Sequence, residues 1–136
     1  PNLVVDFLSD LKAEYDDRVT CLYIGSLRDG SLTKYQSYLN GMDFKSESDQ
    51  GLLYMRDFGM MIRELEESVP DIGIYLFDYL PYSDQPEQRF LTQHTILVME
   101  PFFWPMADQV RPADWLMDAV SGTVSSHGTE LYENDG

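Results

Sequence analysis

The chain has 136 residues, with 24 Asp and Glu against 9 Lys and Arg, a formal charge of -15 and a pI near 4.1. That length predicts one domain over residues 1–136, and a hydrophobic content of 43 % argues against disorder, because burial of that much apolar surface offsets ordering entropy. Apolar runs such as Ile96 to Met99 fall far short of the ~20 residues a membrane span needs.

The N-terminal residues show no basic region followed by an apolar block, so no secretory signal is expected. Cys21 is the single cysteine, which forbids an internal disulfide and points towards a reducing, cytoplasmic compartment. Charge is uneven along the chain. Residues 1–68 hold 13 acids and 7 bases, net -6, whereas residues 69–136 hold 11 acids and 2 bases, net -9. Nucleic acids and anionic membranes are bound by Lys and Arg that replace counterions at phosphates, so neither is expected as a direct partner.

In chain order, Leu3, Val4, Phe7, Leu8 and Leu11 recur at helical spacing opposite Asp6, Asp10 and Glu14, predicting a helix that ends near Asp16–Arg18. Val19 to Leu27 reads as a buried strand, and Arg28-Asp29-Gly30-Ser31 as a tight turn. Leu32 to Leu39 is then expected to pair back as a second strand before the Asn40-Gly41 turn. A polar loop over residues 43–51 precedes a helix from about Leu52 to Ser68, capped by Ser48 or Asp49. Its buried stripe is Tyr54, Phe58, Met61, Ile62 and Leu65; Gly59 marks close packing, and Pro70 stops the helix.

Ile72 to Leu80 and Phe90 to Glu100 read as strands joined by a loop over residues 81–88. Pro112 suits the first turn of a last helix with Trp115, Leu116, Ala119 and Val120 on one face. Residues from about 128 to 136 read as a polar tail. The order α-β-β-α-β-β-α predicts an α+β fold, an antiparallel sheet of about four strands with helices mainly on one face. A mixed sheet is the alternative, because the long second helix can serve as a crossover.

Several residues invite chemistry. Cys21 lies in a buried strand, where a thiol behaves as a small hydrophobe. His94 reads as a core or edge histidine. His127-Gly128-Thr129 has the His-x-Thr form of two-histidine phosphoesterases, but His94-Thr95-Ile96 does not supply the second copy. The pairs Asp6/Asp10 and Asp114/Asp118 could each hold a divalent cation, although a solvated acidic face is the simpler reading. Neither an enzyme nor a cofactor is expected. Phe102-Phe103-Trp104, bounded by Pro101 and Pro105, is read as covering an open end of the core; exposed, it would anchor a partner. Tyr75, Tyr79 and Tyr82 near Asp78 and Asp84 suggest a polar contact surface.

The acid excess makes a non-enzymatic protein-binding module the expected function. Mutual repulsion is weak per pair, ~0.4 kcal/mol at ~10 Å in water, but it sums over many carboxylates. A cationic partner relieves that repulsion and is steered in. In size and charge the chain is similar to acidic phage inhibitors and toxin-immunity proteins, which act as nucleic-acid mimics. Such proteins occupy the basic groove of a nuclease or nucleic-acid-guided effector. The expected contact residues are Asp71, Asp78, Asp84, Glu87, Trp104, Asp108, Asp114 and Asp118. Residues 70–120 also loosely resemble tail-terminator-type proteins in element order: strand, acidic turn, long strand, Pro-rich loop, helix. That resemblance implies a structural subunit of a phage neck or tail, with self-association. A metal-dependent hydrolase, holding its cation through Asp114, is the least favoured reading.

Overall fold

A computed structural model describes residues 2–26, 29–39, 41, 47–77, 96 and 100–130. Helix α1 runs from Leu3 to Tyr15. Asn2 starts it by accepting hydrogen bonds from the amides of Val4 and Val5 at 3.0 and 3.3 Å, which satisfies donors the helix cannot. Strand β1 follows at Leu22–Ser26.

The next element corrects the sequence reading. Residues Gly30–Leu39 form helix α2, not a strand. Asp29 Oδ1 accepts the Leu32 amide at 2.8 Å, so Asp-Gly here is a helix N-cap rather than a hairpin turn. Leu32, Tyr35 and Leu39 then follow helical rather than alternating spacing. Helix α3 spans Glu47–Ser68 and begins five residues before the expected start, so Ser48 and Asp49 lie inside it. Gln36 Nε2 donates to Asp57 Oδ2 at 2.6 Å and ties α2 to α3.

Strand β2, Gly73–Phe77, pairs with β1 in parallel, from Leu22 opposite Gly73 to Ser26 opposite Phe77. The expected antiparallel four-stranded sheet is therefore wrong. Once residues 30–39 are helical, the β1–β2 connection is a helical crossover, which returns the chain parallel to its starting direction. On the other edge of β2, His127 makes a parallel bridge to Tyr75. Its amide donates to Ile74 O at 2.8 Å and its carbonyl accepts from the Leu76 amide at 2.9 Å. The stretch before it, residues 123–126, belongs to neither helix nor strand. Most of the expected strand over Phe90–Glu100 lies outside the described residues; Ile96 is buried, and Glu100 opens a 3-10 turn that runs to Phe103.

Every residue of β2 is buried, because both faces of the sheet are covered. Ile74 and Leu76 face α1 and α3, packing with Val5, Phe58, Ile62 and Leu65. Tyr75 and Phe77 face the opposite layer with Ile96 and Trp115 of the last helix, α4, which spans Pro112–Val120 with proline in its first turn. Helices thus lie on both faces, against the expectation of one. The α3 stripe is largely as read, with Tyr54, Phe58, Ile62 and Leu65 buried and Met61 half-buried. Cys21 is buried as well. Among the described residues no helix is long and apolar enough to cross a membrane.

Candidate functional site

Helix α1 carries more apolar side chains than one face can bury. Val5 is its buried residue, with Leu8 packed beside it on the α3 layer. At 100° per residue, Leu3, Phe7, Asp10 and Glu14 lie on the opposite side in a single row. Leu3 is 84 % exposed and Phe7 66 %, so neither belongs to the inner stripe the sequence suggested. Asp6 and Asp10 stand one turn apart, as do Asp10 and Glu14; such like-charged pairs each disfavour a helix by ~0.2–0.5 kcal/mol.

The helix has one cation, Lys12, and it is turned inward. Its ammonium reaches Asp71 at 2.7 Å and the Val19 carbonyl at 3.1 Å. That hydrogen bond holds the Lys12 pKa above and the Asp71 pKa below their ordinary values. Among the described residues, Asp6, Asp10 and Glu14 have no basic partner. Helix α1 therefore presents an apolar end and an acidic end along about 16 Å of one face.

The expected contact residues are placed differently. Asp71 pairs with Lys12 on the α1 side of the sheet. Asp108, Asp114 and Asp118 belong to the α4 side; Asp114 is held by Arg111 at 2.7 Å, and Asp118 is exposed on α4. Asp71 thus goes with the α1 layer, and Asp108, Asp114 and Asp118 with the α4 layer. Asp78, Asp84 and Glu87 lie outside the described residues, as do His94, Tyr79 and Tyr82. The aromatic segment is divided: Pro101 is buried, Phe102 and Trp104 are half-buried, and Phe103 is exposed. The Phe102 and Phe103 rings meet edge to face at 5.4 Å. Tyr75, expected at a polar contact surface, is fully buried in the core. Among the described residues, no three His, Cys, Asp or Glu side chains are gathered to hold a metal ion.

A second constellation was missed. His127 Nδ1 lies 2.9 Å from Asp108 Oδ2, and its Nε2 lies 3.0 Å from Ser125 Oγ. A carboxylate only accepts, so Nδ1 carries a ring proton; in the neutral ring Nε2 then presents its lone pair and the serine hydroxyl donates to it. Each member is pinned by its backbone. His127 is bonded to β2 on both sides. The Ser125 carbonyl accepts from Trp115 Nε1 at 2.7 Å, and Ser126 Oγ accepts from the Ile74 amide at 3.0 Å. Gly128 follows at φ +81, where an added Cβ would strike the Leu76 carbonyl.

Asp108 sits in a short 3-10 turn, Ala107–Gln109, with φ 53, beside Gln109 at φ 62. Tyr75 Oη holds that turn, accepting from the Ala107 amide at 3.0 Å and donating to the Val110 carbonyl. Burial pushes the Tyr75 hydroxyl above the usual phenol range. The spacing of Ser125 and His127, two residues apart, was a usable signal, because a strand places such a pair on one face. Nothing local announced Asp108. No protein-family model, curated protein or solved structure matches the chain.

Proposed function

We propose that the chain is an acidic protein-binding module of the inhibitor or immunity type, and that helix α1 is the face it offers to a basic surface of its partner. The observation that carries this reading is the outward row of α1, where exposed Leu3 and Phe7 continue into Asp10 and Glu14, which have no basic partner among the described residues. Burying a Leu or Phe side chain in an interface is worth ~1.5–3 kcal/mol, which supplies residence time. Carboxylates beside it supply orientation and a faster encounter with a cationic groove.

The same row disfavours a second copy of the chain as the occupant. Parallel pairing of two α1 helices sets acid against acid, and antiparallel pairing sets the apolar end of one against the acidic end of the other. Helix α2 exposes Tyr35, Tyr38 and Leu39, but it contains no acid and so offers a cation no charge of its own.

The test compares the wild-type protein with the Phe7→Ala and Asp10→Lys/Glu14→Lys variants in affinity capture from the cells that encode it. Binding kinetics of the purified partner are then followed over a salt series. The double reversal is expected to slow association about tenfold or more and flatten its salt dependence, whereas Phe7→Ala speeds dissociation about 30-fold. A partner whose binding neither variant alters would refute the assignment.

A further inference from the structure

We infer that Ser125 is an activated nucleophile, with His127 as its general base and Asp108 as the residue that positions the imidazole, and that this relay accepts small, uncharged aryl esters. The inference goes beyond the binding reading and does not rest on it. The geometry orders the three groups in one direction: Asp108 fixes the tautomer, His127 Nε2 faces the Ser125 hydroxyl, and the neutral ring can take that hydroxyl's proton, with spacings of 2.9 and 3.0 Å. Ser125 is half-buried and the His127 side chain is 18 % exposed, so the reacting atoms are screened from bulk water but within reach of a small molecule. Their support is rigid: the β2 bridge, the Trp115 indole, and the turn clamped by Tyr75. That turn holds two consecutive non-glycine residues in the left-handed region, which places Asp108 against the ring.

The chemistry balances without a further reagent. Ser125 Oγ forms a bond to the ester carbonyl carbon as His127 Nε2 takes the hydroxyl proton. The bond to the phenolic oxygen then breaks, and His127 returns the proton to the departing phenol. Water repeats the sequence on the acyl-serine: His127 takes its proton, the hydroxyl oxygen bonds to the acyl carbon, and Ser125 Oγ leaves and is reprotonated. The sum is ester plus water giving acid plus phenol. The Asp108 carboxylate and the chain charge of -15 disfavour anionic substrates, which is why the class is uncharged.

The probes are a fluorophosphonate, whose fluoride leaves as Oγ bonds to phosphorus, and p-nitrophenyl acetate. Intact-mass measurement is expected to show one adduct, peptide mapping to place it on Ser125, and Ser125→Ala to abolish it. His127→Gln and Asp108→Asn should slow labelling about 100-fold or more while the thermal unfolding profile stays cooperative. In Asp108→Asn the side-chain amide can donate to Nδ1, so the ring-nitrogen NMR signals of His127 should move towards the other tautomer, a change that a purely structural Asp108 would not produce. No residue of α1 takes part in the relay, so this test and the binding test fail independently of each other. A wild-type protein that labels no faster than Ser125→Ala, or that labels at another serine, overturns the inference.

Discussion

Replacing Tyr75 by Phe keeps the ring that packs against Trp115 at 5.6 Å between centroids and removes one oxygen. That oxygen serves two backbone groups, the Ala107 amide and the Val110 carbonyl, on either side of Asp108. A hydrogen bond of this kind is worth ~1 kcal/mol net, and stranding a buried partner costs ~1–3 kcal/mol. Ala107 and Val110 are half-buried, so water satisfies them in part, and the loss should be about 2–3 kcal/mol. That is a large share of the ~5–15 kcal/mol that holds a domain together, and it corresponds to a fall in Tm of roughly 8–12 °C at this chain length. Urea unfolding followed by tryptophan fluorescence measures it, with an unchanged m-value showing that the variant still unfolds as one unit. Releasing the turn should also free Asp108, so the imidazole NMR signals of His127 should move. A loss below about 0.5 kcal/mol with those signals unmoved would refute the claim that the phenol organises the turn.

Two further predictions probe the opposite layer. Asp29→Ala removes the cap of α2 and should cost about 1 kcal/mol, with faster amide exchange confined to the first turns of that helix; unchanged exchange there would return residues 30–39 to an uncapped origin. Asp71→Asn breaks the Lys12 pair. Asp71 has a lowered pKa in the folded state, so its contribution is present above the unfolded value of ~3.9 and is lost as pH falls through the folded value. Lys12 has a raised pKa, so its share holds below 10.5 and is lost as pH rises past the folded value. The stability difference between wild type and variant should therefore be flat through neutrality and close at both extremes, and a difference that widens in acid would contradict the pairing.

The sequence made α1, α3, both strands and α4 legible because each combines periodicity with a boundary signal, as Pro70 and Pro112 illustrate. It misled at Asp29-Gly30, since the same dipeptide starts a helix or turns a hairpin and only the tertiary position of Asp29 decides. That misreading gave β1 a hairpin partner, and with the strands expected on either side of residues 81–88 it favoured an antiparallel sheet over the crossover that the long helix offered. The face of α1 was misjudged for a different reason. Apolar residues occupy most of its circumference, and the helix buries the side holding Val5 and Leu8 rather than the one holding Leu3 and Phe7. The acids near the last helix were correctly read as abundant, but Asp108 and Asp114 are engaged by His127 and Arg111, contacts that no spacing rule revealed in the case of Asp108.

The most direct measurement of the binding claim is a hydrogen-exchange footprint of the protein alone and in complex with the basic partner it captures. Slowed exchange over residues 3–15, centred on the turns bearing Phe7 and Asp10, is the result expected. Unchanged exchange throughout α1, with protection elsewhere on the molecule, would show that the exposed apolar and acidic row has no part in recognition.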